Sequence, residues 1–564
     1  MPDFDPLLAY LNDMPSARWN YPATLGTPAS VTYSFMHAVP AYEAPADHPS
    51  FMPLDASMQA ATRAAMGAWT AVANVTFTEV SDAGHGGEIR VGSNEMGYGG
   101  YSYYPYFVGG EPAELGGDVY LGRYKENAQV APGQYGLETL THEIGHAIGL
   151  KHPFEGSLTL PASEQDLRYS IMNYSVPHDA TVVSVTGTAA DYNWVQTPLY
   201  PSGPMIDDIA AAQALYGANM NHATGNDTYS WATSARFFQT IWDAGGTDTI
   251  DASNQGLDSV IDLREGHFSS IAMRETVAER RLEIPSFASA APTPSYDGHD
   301  NLAIAHGVLI EDAKGGAGDD LITGNAAANR LDGGAGADTI QGGDGGDTLL
   351  GRAGDDSLTG GSDAAPDRLQ GDDGNDTLDG ASGHGEADWL AGGAGNDVYI
   401  VDSAQDVVSE AANQGTDTVH ARIPGGGYVL LAHVENLVLE GTTRMGQGNA
   451  LDNLITGNAG SNWLMGGEGA DTLDGGRGSD VLFGGAGADT FVFANGTGAD
   501  RIGDFAHGID HIRLVGFTGL NASTILSRVS DHADGAVVAL DADDSITLAG
   551  IAKSDLAASD FLFA

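Results

Sequence analysis

Leu137-Glu-Thr-Leu-Thr-His142-Glu143-Ile-Gly-His146-Ala-Ile-Gly149-Leu-Lys-His152-Pro153 is the stretch from which the reading of this chain starts. His142 and His146 stand four apart, so on a helix both imidazoles project from one face toward a common point. Leu137, Leu140, Ile144, Ala147 and Ile148 supply the apolar surface that buries such a helix. Gly149 can take a left-handed conformation and stop it, after which the chain turns and His152 returns as a third ligand. Three neutral imidazoles leave a fourth position open for water, the layout of a catalytic zinc site. Glu143, beside the first histidine, is placed to take a proton from that water.

A His-x-x-x-His pair alone is weak evidence. The full pattern His-Glu-x-x-His-x-x-Gly-x-x-His, at this chain's composition, arises by chance roughly once in ten thousand such sequences. The pattern resembles that of the metzincin metalloproteases, which also carry a methionine turn downstream. Ser170-Ile171-Met172-Asn173-Tyr174 is similar to the Met-turn of the serralysin-type metzincins. The resemblance implies that Met172 forms an apolar floor beneath the zinc. It implies too that Tyr174 is a further, movable ligand that swings away to hydrogen-bond the reacting carbonyl. Serralysins more often have serine where this chain has Asn173, a departure that touches no ligand.

At 564 residues the chain is too long for one core. It carries 76 acidic residues against 23 basic ones, a formal charge of −53. That charge excludes nucleic-acid binding through phosphates and disfavours anionic membranes. With 42% hydrophobic residues the chain is not wholesale disordered, so bound cations are the reading of the charge. The absence of cysteine rules out disulfides and thiolate ligands. The N-terminus does not read as a secretory signal, and no stretch is long enough to span a membrane.

Along the chain, Pro6 to Leu11 reads as a short helix or pro-segment, and Val31–Phe35 as a strand. A helix capped by Asp55 follows, with Met58, Ala61, Ala65, Trp69 and Val72 at helical spacing. Val75–Val80, Glu88–Val91 and Gly116–Leu121 read as strands. Gly99–Pro105 has the alternation and terminal proline of an edge strand. In the resembled family this strand holds the peptide substrate by backbone pairing, which implies that role for Gly100, Tyr101, Ser102, Tyr103 and Tyr104. Pro204–Gly217 reads as a last helix with Asp207 or Asp208 near its start, and a similar stretch ends the serralysin catalytic domain. Ile241–Asp251 is similar to the first strands of the serralysin C-terminal domain. Residues 274–298 look inserted and read as a surface loop.

From Gly315 a nine-residue repeat begins, Gly-Gly-x-Gly-x-Asp-x-apolar-x, running with interruptions to Ile400 and again from Gly448 to Val492. This is the pattern of calcium-binding parallel β-rolls. Its glycines permit the tight turn, and the sixth-position acids offer hard oxygen to calcium. Those acids are Asp320, Asp338, Asp347, Asp356, Asp376, Asp397, Asp471, Asp480 and Asp489. The eighth position is apolar and points into a thin core. A flexible linker would have no cause to place an apolar residue every nine. Asn329, Asn453 and Asn462 replace the acid, so those turns are expected to bind calcium weakly or not at all. Asp504-Phe505, Asp510–Leu514 and Ile546–Leu548 read as short strands. The final Ser559–Ala564 is similar to the uncleaved signal of type I secretion.

The expected fold is thus multidomain, an α/β (α+β) metzincin catalytic domain followed by an all-β parallel β-roll. Its divisions are an N-terminal segment (1–20), the catalytic domain (21–220), transition strands (221–310), a first repeat array (311–400), an intervening segment (401–447), a second array (448–495) and a C-terminal β segment (496–564). The resemblance implies an extracellular zinc endopeptidase with one catalytic Zn2+ and several structural Ca2+ ions. Its expected partners are protein or peptide substrates, the type I secretion apparatus and a proteinaceous inhibitor. Two other readings stand beside it: a calcium-dependent surface-layer or adhesive protein, and a protease dedicated to one cell-surface partner.

Overall fold

The computed structural model describes residues 16–48, 50–123, 127–381 and 387–564. The Pro6 to Leu11 stretch lies outside them. The chain divides into two compact units, Met1–Asp312 and Ala313–Ala564.

The first unit is built on a five-stranded sheet of β1 (Ala29–Phe35), β2 (Val75–Glu79), β3 (Ile89–Asn94), β4 (Gly100–Ser102) and β5 (Val119–Gly122). Their order is β2-β1-β3-β5-β4. All pairs are parallel except β4 with β5, where Gly100 faces Leu121 and Ser102 faces Val119. The antiparallel β4 is therefore an edge strand. Val31, Ile89, Val91, Val119 and Leu121 lie at 0–1% exposure, as expected for strands covered on both faces.

Helix α1 (Ala56–Val72) starts where Asp55 Oδ1 accepts a hydrogen bond from Met58 N at 2.9 Å. It packs on α2 (Tyr135–Ala147), with Trp69 Nε1 donating to the carbonyl of Thr141 at 3.0 Å. Gly149, at φ +110°, ends the α2 segment, and a β-carbon there would meet the carbonyl oxygen of Ala17 at 2.1 Å. Helix α3 (Ile206–Tyr216) closes at Gly217 with φ +81°.

Residues 274–298 are not a bare loop. They carry a short helix, Val277–Leu282, and a small buried cluster of Ile284, Ala288 and Ala291. Val183, Val185 and Tyr192 of a long hairpin, Thr181–Thr188 with Asp191–Pro198, pack against that cluster. The hairpin thus covers the apolar side of this segment.

The second unit is a parallel β-solenoid. Inward residues stack in files: Leu331, Leu349, Leu369 and Leu390 along one sheet, and Ile340, Leu358, Leu378, Tyr399, Val419, Leu437, Ile455, Leu473 and Phe491 along another. Every one of them is at 0% exposure. Two nonapeptides make one turn, so each turn buries two apolar side chains and adds about 4.8 Å of stack. Residues 401–447 continue one sheet of this stack, since Thr418–Ala421 and Asn436–Leu439 pair in register between Val398–Val401 and Leu454–Thr456, while the facing sheet ends at Val407–Val408 and a new one starts at Gly427–Val429. Asp504-Phe505 forms no strand. The strand there is Ala499–Ile502, and Asp504 accepts hydrogen bonds from the backbone N–H groups of Gly484 and Gly485. The last strand, Phe561–Phe563, pairs in parallel with Ile512–Leu514.

Candidate metal centres and substrate cleft

Helix α2 presents His142 and His146 one turn apart, and the turn after Gly149 brings His152 to them. The Nε2 atom of His152 lies 3.2 Å from that of His142 and 3.0 Å from that of His146. His142 Nδ1 is 2.8 Å from the carbonyl of Ile171, and His146 Nδ1 is 2.7 Å from the carbonyl of Leu150. A carbonyl only accepts, so each Nδ1 carries the proton and each Nε2 turns a lone pair inward. Glu155 Oε2 stands 3.1 Å from His152 Nδ1, close to the third ring but outside hydrogen-bond geometry. Burial lowers all three imidazoles, His142 to about 4, so they stay neutral. Three converging neutral imidazoles are what a divalent cation satisfies, and nitrogen donors of this kind fit zinc.

Met172 is at 0% exposure beside α2, its Sδ 2.6 Å from where a β-carbon on Gly145 would stand. Asp208 of α3 pins this turn. Its carboxylate accepts from Ser170 Oγ at 2.6 Å, Ile171 N at 2.7 Å and Met205 N at 2.9 Å. In the sequence Asp207 or Asp208 reads only as a helix start, because nothing local couples position 208 to position 170. Tyr174 puts its hydroxyl 2.7 Å from His152 Nε2, while its ring stacks near His142 and leaves the residue 66% exposed.

Glu143 is buried, which pushes its carboxyl up to about 7, partly offset by the Ser102 hydroxyl that donates to Oε2 at 2.9 Å. The strand alternation sorts the five edge residues. Gly100 and Ser102 face Glu143, and the ring of Tyr104 meets that of His146 at 5.5 Å. Tyr101 and Tyr103 pack on the other face, Tyr101 stacked on Tyr120 at 5.2 Å. Beside Glu143 opens a cavity of about 170 Å³ lined in part by Tyr98, Tyr135, Glu138 and Thr139.

In the second unit the sixth-position acids form ladders. One oxygen of each accepts the backbone N–H of the matching residue a turn earlier, at 2.8 Å for Asp338 to Asp356, Asp356 to Asp376 and Asp376 to Asp397. The other oxygen, Oδ2, is buried without a hydrogen bond in Asp347, Asp356, Asp376, Asp397, Asp471, Asp480, Asp489 and Asp500. Orphaned buried carboxylate oxygens are costly unless a cation meets them. The repeat's first glycine leaves them room, since a β-carbon on Gly371 would stand 2.0 Å from Asp376 Oδ2. Where asparagine replaces the acid, its amide meets oxygen instead: Asn453 Nδ2 donates to the carbonyls of Val434 and Glu435 at 3.1 Å.

The ladders include acids that the nine-residue count missed: Asp367, Asp388, Asp417, Asp500 and Asp510. Insertions or a lost glycine register hide them. The surviving signal is Asp-x-apolar, as in Asp367-Arg-Leu369, Asp388-Trp-Leu390 and Asp500-Arg-Ile502. Two further carboxylate groups bring ligand atoms within 4.8 Å of one another: Asp227, Asp243 and Asp248, and Asp397, Glu410 and Asp417.

A family model described as the serralysin C-terminal region of M10 peptidases matches residues 207–278, and one described as the RTX calcium-binding nonapeptide repeat matches several segments between residues 310 and 502. The metallopeptidase AprA of Pseudomonas marginalis is 37% identical over 301 residues, 50% of this chain and 56% of that protein. Serralysin C of Dickeya chrysanthemi is 36% identical over 329 residues, 54% of this chain and 60% of that protein. The serralysin of Proteus mirabilis is 30% identical over 349 residues, 55% of this chain and 62% of its own length. The chain thus spans 56–62% of the length of these relatives. Among the described residues no helix is long and apolar enough to cross a membrane. With three histidines brought together on one α/β unit and a β-roll of nonapeptide repeats, the chain is similar to the serralysin-type metalloproteases that carry RTX repeats.

Proposed function

We propose that the protein is an extracellular zinc endopeptidase that hydrolyses peptide bonds of proteins. The observation that carries this reading is the convergence of three imidazole Nε2 atoms beside a buried carboxylate and an open strand edge. His142, His146 and His152 would hold the metal, with Tyr174 as a movable fourth group. Zinc held there supplies the positive charge that acidifies a water molecule and polarises a carbonyl. The free edge of β4 pairs with an extended peptide and lays its scissile bond across the histidines. Glu143 takes the water proton and delivers it to the leaving nitrogen, its position kept by Ser102. Tyr174, swung off the cluster, donates its hydroxyl to the oxyanion. The roll would take up calcium through its aspartate ladders, in keeping with export through a type I apparatus and folding outside the cell.

Glu143→Gln tests the mechanism. The variant keeps its zinc, because Glu143 is not among the ligands, while peptide hydrolysis falls by orders of magnitude. Near-normal turnover with this variant would refute the assigned role.

A further inference from the structure

Glu138 sits one helical turn before His142, on the same face of α2. It lines the cavity beside Glu143 and is 7% exposed. Its side chain makes one hydrogen bond among the described residues, a long one of 3.3 Å from Thr139 Oγ1. Among the described residues no lysine or arginine lines the cavity, and the other carboxylate there is Glu143. A carboxyl this buried with so little to satisfy it is costly to the fold, and burial pushes it up to about 8. A purely structural role would call for more donors. The tyrosine rings of Tyr98 and Tyr135 share the same walls, and ring faces favour a cation.

The cavity also has a place relative to the reaction. Glu143 must hand its proton to the leaving nitrogen, so the leaving-amine half of the substrate lies on the Glu143 side. A peptide paired antiparallel to β4 runs from Tyr104 toward Gly100, so its C-terminal half, which carries the leaving amine, lies over the same cavity. Its volume of about 170 Å³ is that of roughly five or six waters, enough for one long side chain.

We propose that Glu138 is a specificity-determining residue that selects substrates with lysine or arginine immediately after the scissile bond. This rests on the endopeptidase reading and names the substrate class of that site. Glu138 receives the ammonium or guanidinium group, and Tyr98 and Tyr135 flank it.

The test uses quenched fluorescent peptides that differ only in the residue after the cut: lysine, arginine, norleucine (a neutral counterpart of lysine) or glutamate. With the zinc- and calcium-loaded full chain, kcat/KM for lysine or arginine exceeds that for norleucine by about 10- to 100-fold, the range of one charge-assisted hydrogen bond. Glutamate is the poorest. Glu138→Gln brings the lysine-to-norleucine ratio to within about threefold of one. The same peptides, labelled for fluorescence anisotropy, give Kd ratios on the Glu143→Gln chain, where no cutting is needed. Equal handling of lysine and norleucine by the unmodified chain, or a ratio unchanged in Glu138→Gln, overturns the proposal. If Glu138→Gln does not fold, lysine against glutamate on the unmodified chain decides it. If no peptide is cut at all, the endopeptidase reading fails, and the Kd ratios still judge Glu138.

Discussion

Asp208 offers a quantitative test of how the Met-turn is held. Its carboxylate is fully buried and accepts three hydrogen bonds, from Ser170 Oγ, Ile171 N and Met205 N. Burial lifts it to about 6, so it is ionised at about pH 8, where the measurement belongs. In Asp208→Asn the amide nitrogen can turn toward Ser170 Oγ, which already accepts from Met172 N and has a second lone pair to offer. The carbonyl then keeps both backbone N–H groups, and the loss is the difference between two charged and two neutral acceptors, about 2 kcal/mol. Asp208→Ala leaves two buried N–H groups and a hydroxyl without partners and opens a small void, for about 5 kcal/mol. Because the carbonyl of Ile171 orients His142, the alanine variant also binds zinc about 10- to 100-fold more weakly. Denaturant unfolding of the calcium-loaded chain, followed by tryptophan fluorescence, gives the stabilities, and competition with a chelator gives the zinc affinity. An alanine variant within about 0.5 kcal/mol of the unmodified chain would refute the reasoning.

Tyr174→Phe lowers turnover by about 10²–10³ while three imidazoles keep the metal, as read by rate and zinc content together. Loss of zinc with the fold intact would make the tyrosine a structural ligand instead. In the roll, Gly371→Ala forces Asp376 aside and raises the calcium concentration at the folding midpoint, at a cost of about 1–3 kcal/mol; an unchanged midpoint by circular dichroism would contradict the crowding argument. Burial pushes Asp347, Asp356 and Asp480 up to about 7, and Asp376, Asp397, Asp471 and Asp500 up to about 6. These folded-state values are raised, so without calcium their contribution to stability is whole below the unfolded value of about 3.9 and is lost as pH rises through about 6–7. Calcium-free protein therefore shows more β signal at about pH 5 than at about pH 8, and the reverse order would sink the account.

The histidine cluster and the repeats are legible because their signals are local. Two histidines four apart on a helix, one glycine turn and a fixed nine-residue count need no knowledge of distant contacts. What escaped depends on distance or on interrupted register. Ser102 meets Glu143 across 41 positions, and Asp208 meets Ile171 across 37. The hairpin at Thr181–Pro198 was missed because its strands are mostly exposed or half-buried and show no apolar alternation. The insertion at 274–298 read as a loop for a related reason: its three buried residues are too few to set a period, and they make sense only against Val183, Val185 and Tyr192. Between 401 and 447 the glycines thin out, yet the inward file of Val419 and Leu437 continues.

A solenoid of this kind closes turn by turn, each stabilised mainly by its neighbours. The rungs at Asn453 and Asn462 differ from the rest, since their amides already grip the carbonyls of Val434, Glu435 and Thr443 without an ion. They lie next to the fully buried Val434, Leu437, Ile455 and Leu464. The asparagine rungs are therefore the part of the roll whose closure depends least on a cation, and removing calcium should loosen them less than the aspartate rungs on either side.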